Sequence, residues 1–403
     1  TNIMKIVFLS RLKSNAACSE IFNTPCSGTV YSYLILAKEF ATNGHEVTVL
    51  SNTDNKTDLG VKFVKCNSRV EQVNWLAHEK NIDVLIGISY SADIFSDANI
   101  NARTKVFWWH NTYTSNFKEL LDLLFIEKID YFVGISKFQI AINGFFLIRE
   151  SIKRRKNILT KIQHIYNPVI VPKISIPSSV NYAKPSFAFI GNPNYDQGFH
   201  LVLESFDLYK KTGGVGNLKV FGGNDLHGGN ELFDPEFKTK YIDQLLCQNE
   251  VLRKDVIFYG SLNRRMLYAE LIKCNGTILG LKGIESFSVS AAESCALNIP
   301  VLTRKRGGQT EIIKNNKNGF TIIYNKKNVT KGLKKLAQLK PQKLNRIAKY
   351  NTKHLEKFNP KSIALQWEEL LHNARAINNK RNYLHTLRII SIIIWGRIKM
   401  LID

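Results

Sequence analysis

Short apolar runs alternate with segments of helical spacing along most of this chain, and this alternation constrains the fold most strongly. In the first half the apolar runs are Met4–Leu9, Val47–Leu50, Ile82–Ile86, Val106–Trp109 and Tyr131–Ile135. A helix is predicted at Thr29–Ala41, between the first two runs. Parallel strands need long crossovers, usually helices, so the pattern predicts an α/β fold with a parallel sheet covered on both faces.

A proline-rich stretch interrupts the alternation. Residues 166–186 contain four prolines and show no helical period, which is typical of a linker. The apolar runs then resume at 187–190, 218–221, 256–259, 277–281, 301–303 and 320–323. A chain of 403 residues is long enough for two domains, each with its own core. We therefore predict a first domain at 1–168, a linker at 169–186, a second domain at 187–358, a helix at 359–379 that returns to the first domain, and a tail at 380–403.

Two carboxylates stand eight residues apart in Gly283–Pro300. Glu285 precedes a segment of helical spacing, Phe287–Leu297, and Glu293 lies within it. Ser286 or Ser288 can cap the start of this helix. The free amides of a helix start attract anions, and a carboxylate accepts hydrogen bonds from sugar hydroxyls. From spacing alone, a solvated amphipathic helix explains the pattern equally well.

Several cofactor motifs are missing. The loop after the first run lacks G-x-G-x-x-G, and no G-x-x-x-x-G-K-[ST] occurs, which disfavours nicotinamide, flavin and P-loop sites of the usual kind. The six cysteines have no C-x-x-C spacing and no histidines at metal-site spacing. We expect reduced thiols, no metal and no cofactor.

The charge is strongly positive. Lys and Arg total 56 against 33 Asp and Glu, a formal net charge of +23. Such an excess favours a polyanionic partner: nucleic acid, anionic lipid or a phosphorylated glycan. Codon bias of an AT-rich genome is the competing explanation. A nucleic-acid partner is not expected, because no recognised module and no surface of interleaved aromatic and basic residues is apparent.

Several ordered motifs resemble the retaining, metal-independent family 4 glycosyltransferases. The run from Glu285 to Val301 matches E-G-F-G-x-x-x-x-E-A-x-A-x-G-x-P-V. Further matches are Gly307-Gly308 with Glu311, Asn318-Gly319, the stretch from Gly191 to Phe206, Gly44-His45, and Asn167-Pro168 at the entry to the second domain. The resemblance covers roughly residues 4–375 and is strongest over 187–320. It implies the GT-B fold, with two doubly wound Rossmann-like domains facing across a cleft.

The resemblance also implies roles for individual residues. Glu293 would bind the ribose hydroxyls of a nucleotide sugar, and Glu285 would hold hydroxyls of the donor sugar. Backbone amides would meet the diphosphate at Ser286, Phe287, Ser288 and Val289. Gly28 and Gly191 would lie in the loops that approach the phosphates, and His110 would lie near the donor sugar. A retaining transferase of this family needs no protein nucleophile.

One departure from the family affects the phosphate site. The Arg and Lys that flank the Gly191 loop in the family are Asn192 and Gln197 here. Losing two cations removes charge stabilisation from the departing diphosphate. Either other cations substitute, or the enzyme is weak or inactive. The candidates nearest in sequence are Lys282, Arg304, Lys305 and Arg306, and Arg264 and Arg265 are a further pair. The competing explanation is that these are ordinary surface cations of a very basic protein.

Two basic, apolar stretches suggest a membrane surface. Residues 144–161 combine Phe145 and Phe146 with several Lys and Arg, and the tail 380–403 combines Ile and Trp395 with basic residues. The apolar part of the tail is too short to span a bilayer, so an in-plane interfacial helix is predicted. The alternatives are a C-terminal helix packed on the first domain and a solvated face at 144–161.

The sequence thus predicts a glycosyltransferase that moves a sugar from a nucleotide sugar to a glycan acceptor, either lipid-linked or part of lipopolysaccharide or surface polysaccharide. We expect it in the cytoplasm, peripheral on the inner face of the cell membrane. The alternatives are a nucleotide-sugar hydrolase or epimerase of the same fold, and a non-catalytic polyanion-binding protein.

Overall fold

The structure of the protein is a computed structural model. It describes residues 2–10, 16–89, 94–95, 100–112, 127–154, 158–172, 181–223, 233–247, 249–280, 282–373 and 379–402. The chain divides into two compact units. The first comprises Thr1–Ile21, Gly28–Pro168 and Lys357–Asp403, and the second comprises Phe22–Ser27 and Val169–Glu356. Residues 173–180 of the predicted linker lie outside the described residues.

The first unit is built on a mostly parallel sheet. Its described strands are β1 (Lys5–Leu9), β2 (Glu46–Ser51), β3 (Lys56–Asp58), β4 (Val61–Lys65), β5 (Ile82–Ile88), β6 (Ala102–Trp109), β7 (Tyr131–Gly134) and β8 (Ile162–His164). Their order is β3-β4-β2-β1-β5-β6-β7-β8, and β3 alone among them pairs antiparallel. The helices α1 (Gly28–Thr42), α2 (Arg69–His78) and α3 (Lys137–Arg154) connect these strands.

The second unit has a parallel sheet of the same kind. Its described strands are β9 (Ser186–Ile190), β10 (Asn217–Phe221), β11 (Val256–Gly260), β12 (Gly276–Leu279), β13 (Val301–Arg304) and β14 (Gly319–Ile322), in the order β11-β10-β9-β12-β13-β14. Its helices are α4 (Phe199–Lys211), α5 (Pro235–Phe237), α6 (Gln244–Cys247), α7 (Glu250–Asp255), α8 (Arg264–Leu271), α9 (Val289–Ala296), α10 (Gln309–Ile312), α11 (Lys326–Ala337) and α12 (Pro341–His354). A π-helical turn, Lys238–Asp243, joins α5 to α6.

The chain ends with two helices that belong to the first unit, α13 (Pro360–Asn373) and α14 (Asn379–Ile402). The ring of Trp367 in α13 packs edge-on at 5.1 Å from Trp108, and both side chains are fully buried. Glu368 accepts a hydrogen bond of 2.6 Å from Asn43. These contacts fasten α13 to the body of the first unit.

Helix α14 packs one face on α3. Ile389 and Ile393 are buried in the first core, and Gly396 lies so close to Ala141 that a side chain there would collide with it. His385 Nε2 lies 2.8 Å from the carbonyl oxygen of Ile162 in β8, the edge strand of the sheet. This is the packed helix that the sequence left open as an alternative, although the opposite face of α14 stays exposed.

Candidate functional site

Each sheet reverses its strand order once, and such a switch point is where ligands bind in open α/β sheets. In the second sheet, the switch lies between β9 and β12, which are neighbours. Gly191 directly follows β9, and Gly280 directly follows β12. A side chain at Gly280 would place its Cβ 2.6 Å from Gln197 Oε1, so it would displace the amide end of Gln197. The predicted Gly191 loop and the Glu285 loop therefore share one sheet edge.

Glu285 lies at this edge with a neutral partner. Gln197 Nε2 donates a hydrogen bond of 3.3 Å to Glu285 Oε1. The carboxyl group is buried although the residue as a whole is partly exposed. Burial raises the pKa of Glu285, and the hydrogen bond from Gln197 opposes this rise only in part. Gln197, at the position where the resemblance places a Lys, thus hydrogen-bonds a carboxylate.

The loop from Glu285 to Ser288 is supported by the Gly307-Gly308 turn. The amide of Gly308 donates a hydrogen bond of 2.7 Å to the carbonyl of Glu285, and a Cβ at Gly308 would collide with the carbonyl oxygen of Ser286. Ser288 has a left-handed φ of +74°, where the family motif has glycine. Its Oγ accepts a hydrogen bond of 3.4 Å from the amide of Ala291. Ser288, one of the two predicted caps, is therefore the N-cap, and the helix begins at Val289, two residues after the start of the predicted helical segment.

Glu293 is buried and held by two donors on one oxygen. Arg264 Nε lies 2.6 Å from Glu293 Oε1, and the hydroxyl of Tyr268 lies 2.7 Å from the same atom. Arg264 Nη1 also donates to the carbonyl oxygen of Cys26, at 3.2 Å, and contacts Cys26 Sγ at 2.9 Å. The sequence grouped Arg264 with the candidate phosphate cations, but the structure pairs it with Glu293. Nothing in the spacing signals a contact between positions 29 residues apart.

Three of the predicted cations cluster near the Glu285 loop. Lys282 Nζ lies 2.8 Å from the centroid of the Tyr195 ring. Arg304 Nη1 donates a hydrogen bond to the carbonyl oxygen of Lys282. Burial, followed by the nearby charge of Arg306, lowers the pKa of Arg304. The Nε of Arg306 is buried and has no hydrogen-bond partner within the described part of the chain. Two adjacent guanidinium groups of this kind suit an anionic ligand.

The remaining predicted residues take simpler positions. Asn192 follows Gly191, and its carbonyl accepts a hydrogen bond of 2.8 Å from the amide of Asn194. Phe287 and Val289 are buried where α9 begins. In the first unit, Gly28 is the first residue of α1, and Ser27 ends the short segment that belongs to the second unit. The described residues contain no group of His, Cys, Asp and Glu arranged to hold a metal ion.

His110 follows β6 at the carboxyl edge of the first sheet. Its backbone amide donates a hydrogen bond of 2.8 Å to Ser89 Oγ, and its ring packs 4.6 Å from that of Trp108. Burial lowers the pKa of His110 to about 3, so the imidazole is neutral near pH 7. Its Nε2 is buried without a hydrogen-bond partner among the residues that the structure describes. A neutral ring nitrogen of this kind can donate to or accept from a substrate hydroxyl.

Residues 172–354 match the family model "Glycosyl transferases group 1". This match supports a glycosyltransferase family. The matched segment spans nearly the whole second unit, including Gly191, both glutamates and the three cations. No curated protein matches the chain.

Solved structures share the fold over nearly the whole chain. A glycosyltransferase from Rickettsia africae ESF-5 is 16% identical with a TM-score of 0.67, covering 94% of this chain and 100% of that one. Anabaena Alr3699/HepE in complex with UDP is 15% identical with a TM-score of 0.66, covering 92% and 100%. The sucrose-phosphate synthase of Thermosynechococcus elongatus is 14% identical with a TM-score of 0.68, covering 92% and 98%. The two parallel-sheet domains and the GT-B fold predicted from the sequence are thereby confirmed.

Proposed function

We propose that the protein is a retaining, metal-independent family 4 glycosyltransferase that moves a sugar from a nucleotide sugar to a glycan acceptor. The observation that carries this proposal is the placement of Glu285 and Glu293 at the switch point of the second sheet, inside the segment that matches the family model. Structures of Anabaena Alr3699/HepE with UDP and with UDP-glucose support a nucleotide-sugar donor.

In this proposal the donor contacts follow the family resemblance. Glu293 accepts hydrogen bonds from the ribose hydroxyls, and Glu285 binds hydroxyls of the donor sugar. Within the second unit, the diphosphate lies against the backbone of Gly191 and meets the amides at Ser286, Phe287, Ser288 and Val289. For Gly28 and for the neutral imidazole of His110, both in the first unit, the roles toward the phosphates and the donor sugar rest on the family resemblance alone. The nucleoside diphosphate gains negative charge as the glycosidic bond breaks, so preorganised amides and cations lower the barrier.

In this proposal Lys282, Arg304 and Arg306 supply the positive charge to the diphosphate that Arg and Lys beside the Gly191 loop supply in the family. Lys282 precedes the Glu285 loop, Arg304 donates a hydrogen bond to the Lys282 carbonyl oxygen, and the buried Nε of Arg306 has no hydrogen-bond partner among the described residues. Asn192 and Gln197 then contribute neutral hydrogen bonds only. We expect Lys282→Ala, Arg304→Ala and Arg306→Ala to lower kcat by about 10- to 1000-fold. Lys305→Ala is the control, because Lys305 is adjacent and exposed. Normal turnover in all three variants would reject this assignment.

The reaction itself is tested with purified protein, UDP-, GDP-, ADP- and dTDP-sugars, and lipid-linked glycan acceptors. We expect acceptor-dependent release of nucleoside diphosphate, with the anomeric configuration of the donor retained in the product by NMR. Release of free sugar without any acceptor effect would favour the hydrolase alternative. Binding of acidic polymers without any nucleotide-sugar turnover would favour the non-catalytic alternative.

We further propose that the acceptor is presented at an anionic membrane surface, on the cytoplasmic side. The outward face of α14 carries Leu384, Leu387, Ile394, Trp395 and Ile398 at i, i+3, i+10, i+11 and i+14, each between 40% and 69% exposed. Arg388 is exposed beside this face, and Arg397 lies 4.3 Å from the Phe145 ring on α3. No helix within the described residues has the length and apolar character needed to cross a bilayer. An apolar strip flanked by cations suits in-plane binding. Arg155 and Lys156 of the other basic stretch lie outside the described residues.

Liposome pelleting tests this surface. Removing α14 would expose the part of the first core against which Ile389 and Ile393 pack, so point variants are preferable to a truncation. We expect Leu387→Ser combined with Trp395→Ser to abolish pelleting with vesicles that contain phosphatidylglycerol. The control is Val215→Ser, at an exposed apolar residue of the second unit. Equal pelleting of the double variant and the wild type would reject the membrane role.

A further inference from the structure

Arg264 and Tyr268 form a buried network with Glu293 that no motif or spacing predicts. The three side chains come from α8 and α9, and each residue is at most 6% exposed. Both donors contact Oε1 of the carboxylate, at 2.6 Å and 2.7 Å. We infer that Arg264 and Tyr268 are positioning residues, which fix the Glu293 carboxylate so that its other oxygen recognises the ribose of the donor.

Arg264 is itself immobilised from a distant part of the chain. Its Nη1 contacts the carbonyl oxygen and the thiol of Cys26. Residues Phe22–Ser27 are the part of the chain before Val169 that belongs to the second unit. The amide of Arg265 donates a hydrogen bond of 3.0 Å to the carbonyl of Phe22, and the ring of Phe22 packs edge-on against Tyr268 at 6.2 Å. The segment Phe22–Ser27 therefore contacts both Arg264 and Tyr268, the two hydrogen-bond donors to Glu293.

The geometry of the Glu293 carboxylate favours discrimination between ligands that have ribose hydroxyls and ligands that lack them. A carboxylate held by an ion pair and a hydroxyl on one oxygen has a fixed plane, so its second oxygen points in one direction. Hydrogen bonds between hydroxyls and a charged acceptor are among the stronger polar contacts, and a site built to make them rejects ligands that lack the hydroxyl. The fixed carboxylate thus makes the enzyme selective for ribose over deoxyribose. This inference rests on the proposed function, because it takes Glu293 to be the ribose ligand.

The test compares ribo- and 2′,3′-dideoxy-nucleoside diphosphates by calorimetry, with UDP, GDP and ADP and their dideoxy counterparts as probes. The wild type should bind one ribonucleotide about 10- to 100-fold more tightly than its dideoxy analogue. In Arg264→Met this ratio should fall to about 3-fold or less, and in Tyr268→Phe it should fall by an intermediate amount. Arg265→Met, which removes the same charge from the exposed neighbouring position, should keep the wild-type ratio.

The ratio separates positioning from a general loss of structure, because both ligands suffer equally from the latter. If Arg264→Met does not fold, Tyr268→Phe still decides, since it removes a single hydroxyl. A wild-type ratio in a folded Arg264→Met variant, or in Tyr268→Phe, would overturn the inference while leaving the proposed function intact. A wild type that binds no nucleoside diphosphate, or that binds ribo- and dideoxy forms equally, would instead overturn the ribose role of Glu293 itself.

Discussion

Glu285 and Glu293 come from one short segment, yet their surroundings differ in kind. Glu293 is inside α9 and is held by a guanidinium and a phenol hydroxyl. Glu285 is in the loop before the helix, where an amide of Gln197 is its described side-chain partner and burial raises its pKa. A buried charge needs a counter-charge, whereas a carboxyl group without one is easily protonated. Within the proposed function, this difference suits Glu293 to recognition of the ribose and Glu285 to contact with the donor sugar.

The largest expected effect separates the two glutamates by kinetics. Glu285→Ala should lower kcat for transfer by about 100- to 1000-fold, because contacts to the donor sugar strengthen in the transition state. The affinity for nucleoside diphosphate, which lacks the sugar, should change by less than about 3-fold. Steady-state kinetics and calorimetry on the same preparation measure both quantities. A loss of nucleoside diphosphate affinity equal to the loss in kcat would contradict the division of roles.

The free energy of unfolding should also distinguish the two glutamates, but here the larger effect is expected at Glu293. Glu293→Gln leaves Arg264 as a buried cation without its carboxylate, and we expect the free energy of unfolding to fall by about 3 kcal/mol. Glu285→Gln removes no ion pair, and its effect should stay below about 1 kcal/mol. Urea denaturation of the two isosteric variants measures the difference. Equal destabilisation would show that the Arg264–Glu293 pair contributes no more than the Gln197–Glu285 contact.

The same reasoning extends to His110 in the first unit, a buried group with no described charge partner. Its pKa is about 3 when folded, against an ordinary value of 6.5, so only the unfolded chain takes up the proton between these values. Stability contributed by the neutral ring is complete above pH 6.5 and is lost as the pH falls towards 3. Between pH 7 and pH 5, the free energy of unfolding of His110→Gln should therefore fall by about 2 kcal/mol less than that of the wild type. Parallel pH profiles of the two proteins would refute the buried, neutral state.

The smallest effect concerns Ser288, which lies between Glu285 and Glu293 in sequence and is the N-cap of α9. Its left-handed backbone costs a non-glycine residue about 1 kcal/mol, while glycine is only slightly worse than serine as an N-cap. Ser288→Gly should therefore raise the free energy of unfolding by about 0.5–1 kcal/mol, and Ser288→Ala should lower it. Thermal unfolding compares the variants. A destabilised glycine variant would mean that the 3.4 Å cap bond outweighs the backbone strain.

Local pattern was enough to predict both sheets, because buried parallel strands are continuous apolar runs. It missed β3 and β8, whose three residues are polar or mixed, and β4, which alternates as a half-exposed strand does. The ordered motifs singled out Glu285, Glu293, Gly191 and the cations, and the structure shows that the Gly191 and Glu285 loops follow neighbouring strands. Local pattern could not find the partners of Glu293, because Arg264, Tyr268 and Cys26 come together only when distant segments pack. Sequence spacing carries no information on such contacts.

The most direct test of the account is calorimetric titration of UDP, GDP, ADP and TDP into the wild type and into the Arg304→Ala, Arg306→Ala double variant. The account predicts saturable one-to-one binding of one of these nucleotides by the wild type. Its affinity should fall at least about 10-fold in the double variant, as expected when two charge-assisted contacts to a diphosphate are removed. If none of the four nucleotides shows saturable binding, the nucleotide-sugar site is contradicted. If the double variant binds as tightly as the wild type, the role of Arg304 and Arg306 as substitute cations is contradicted.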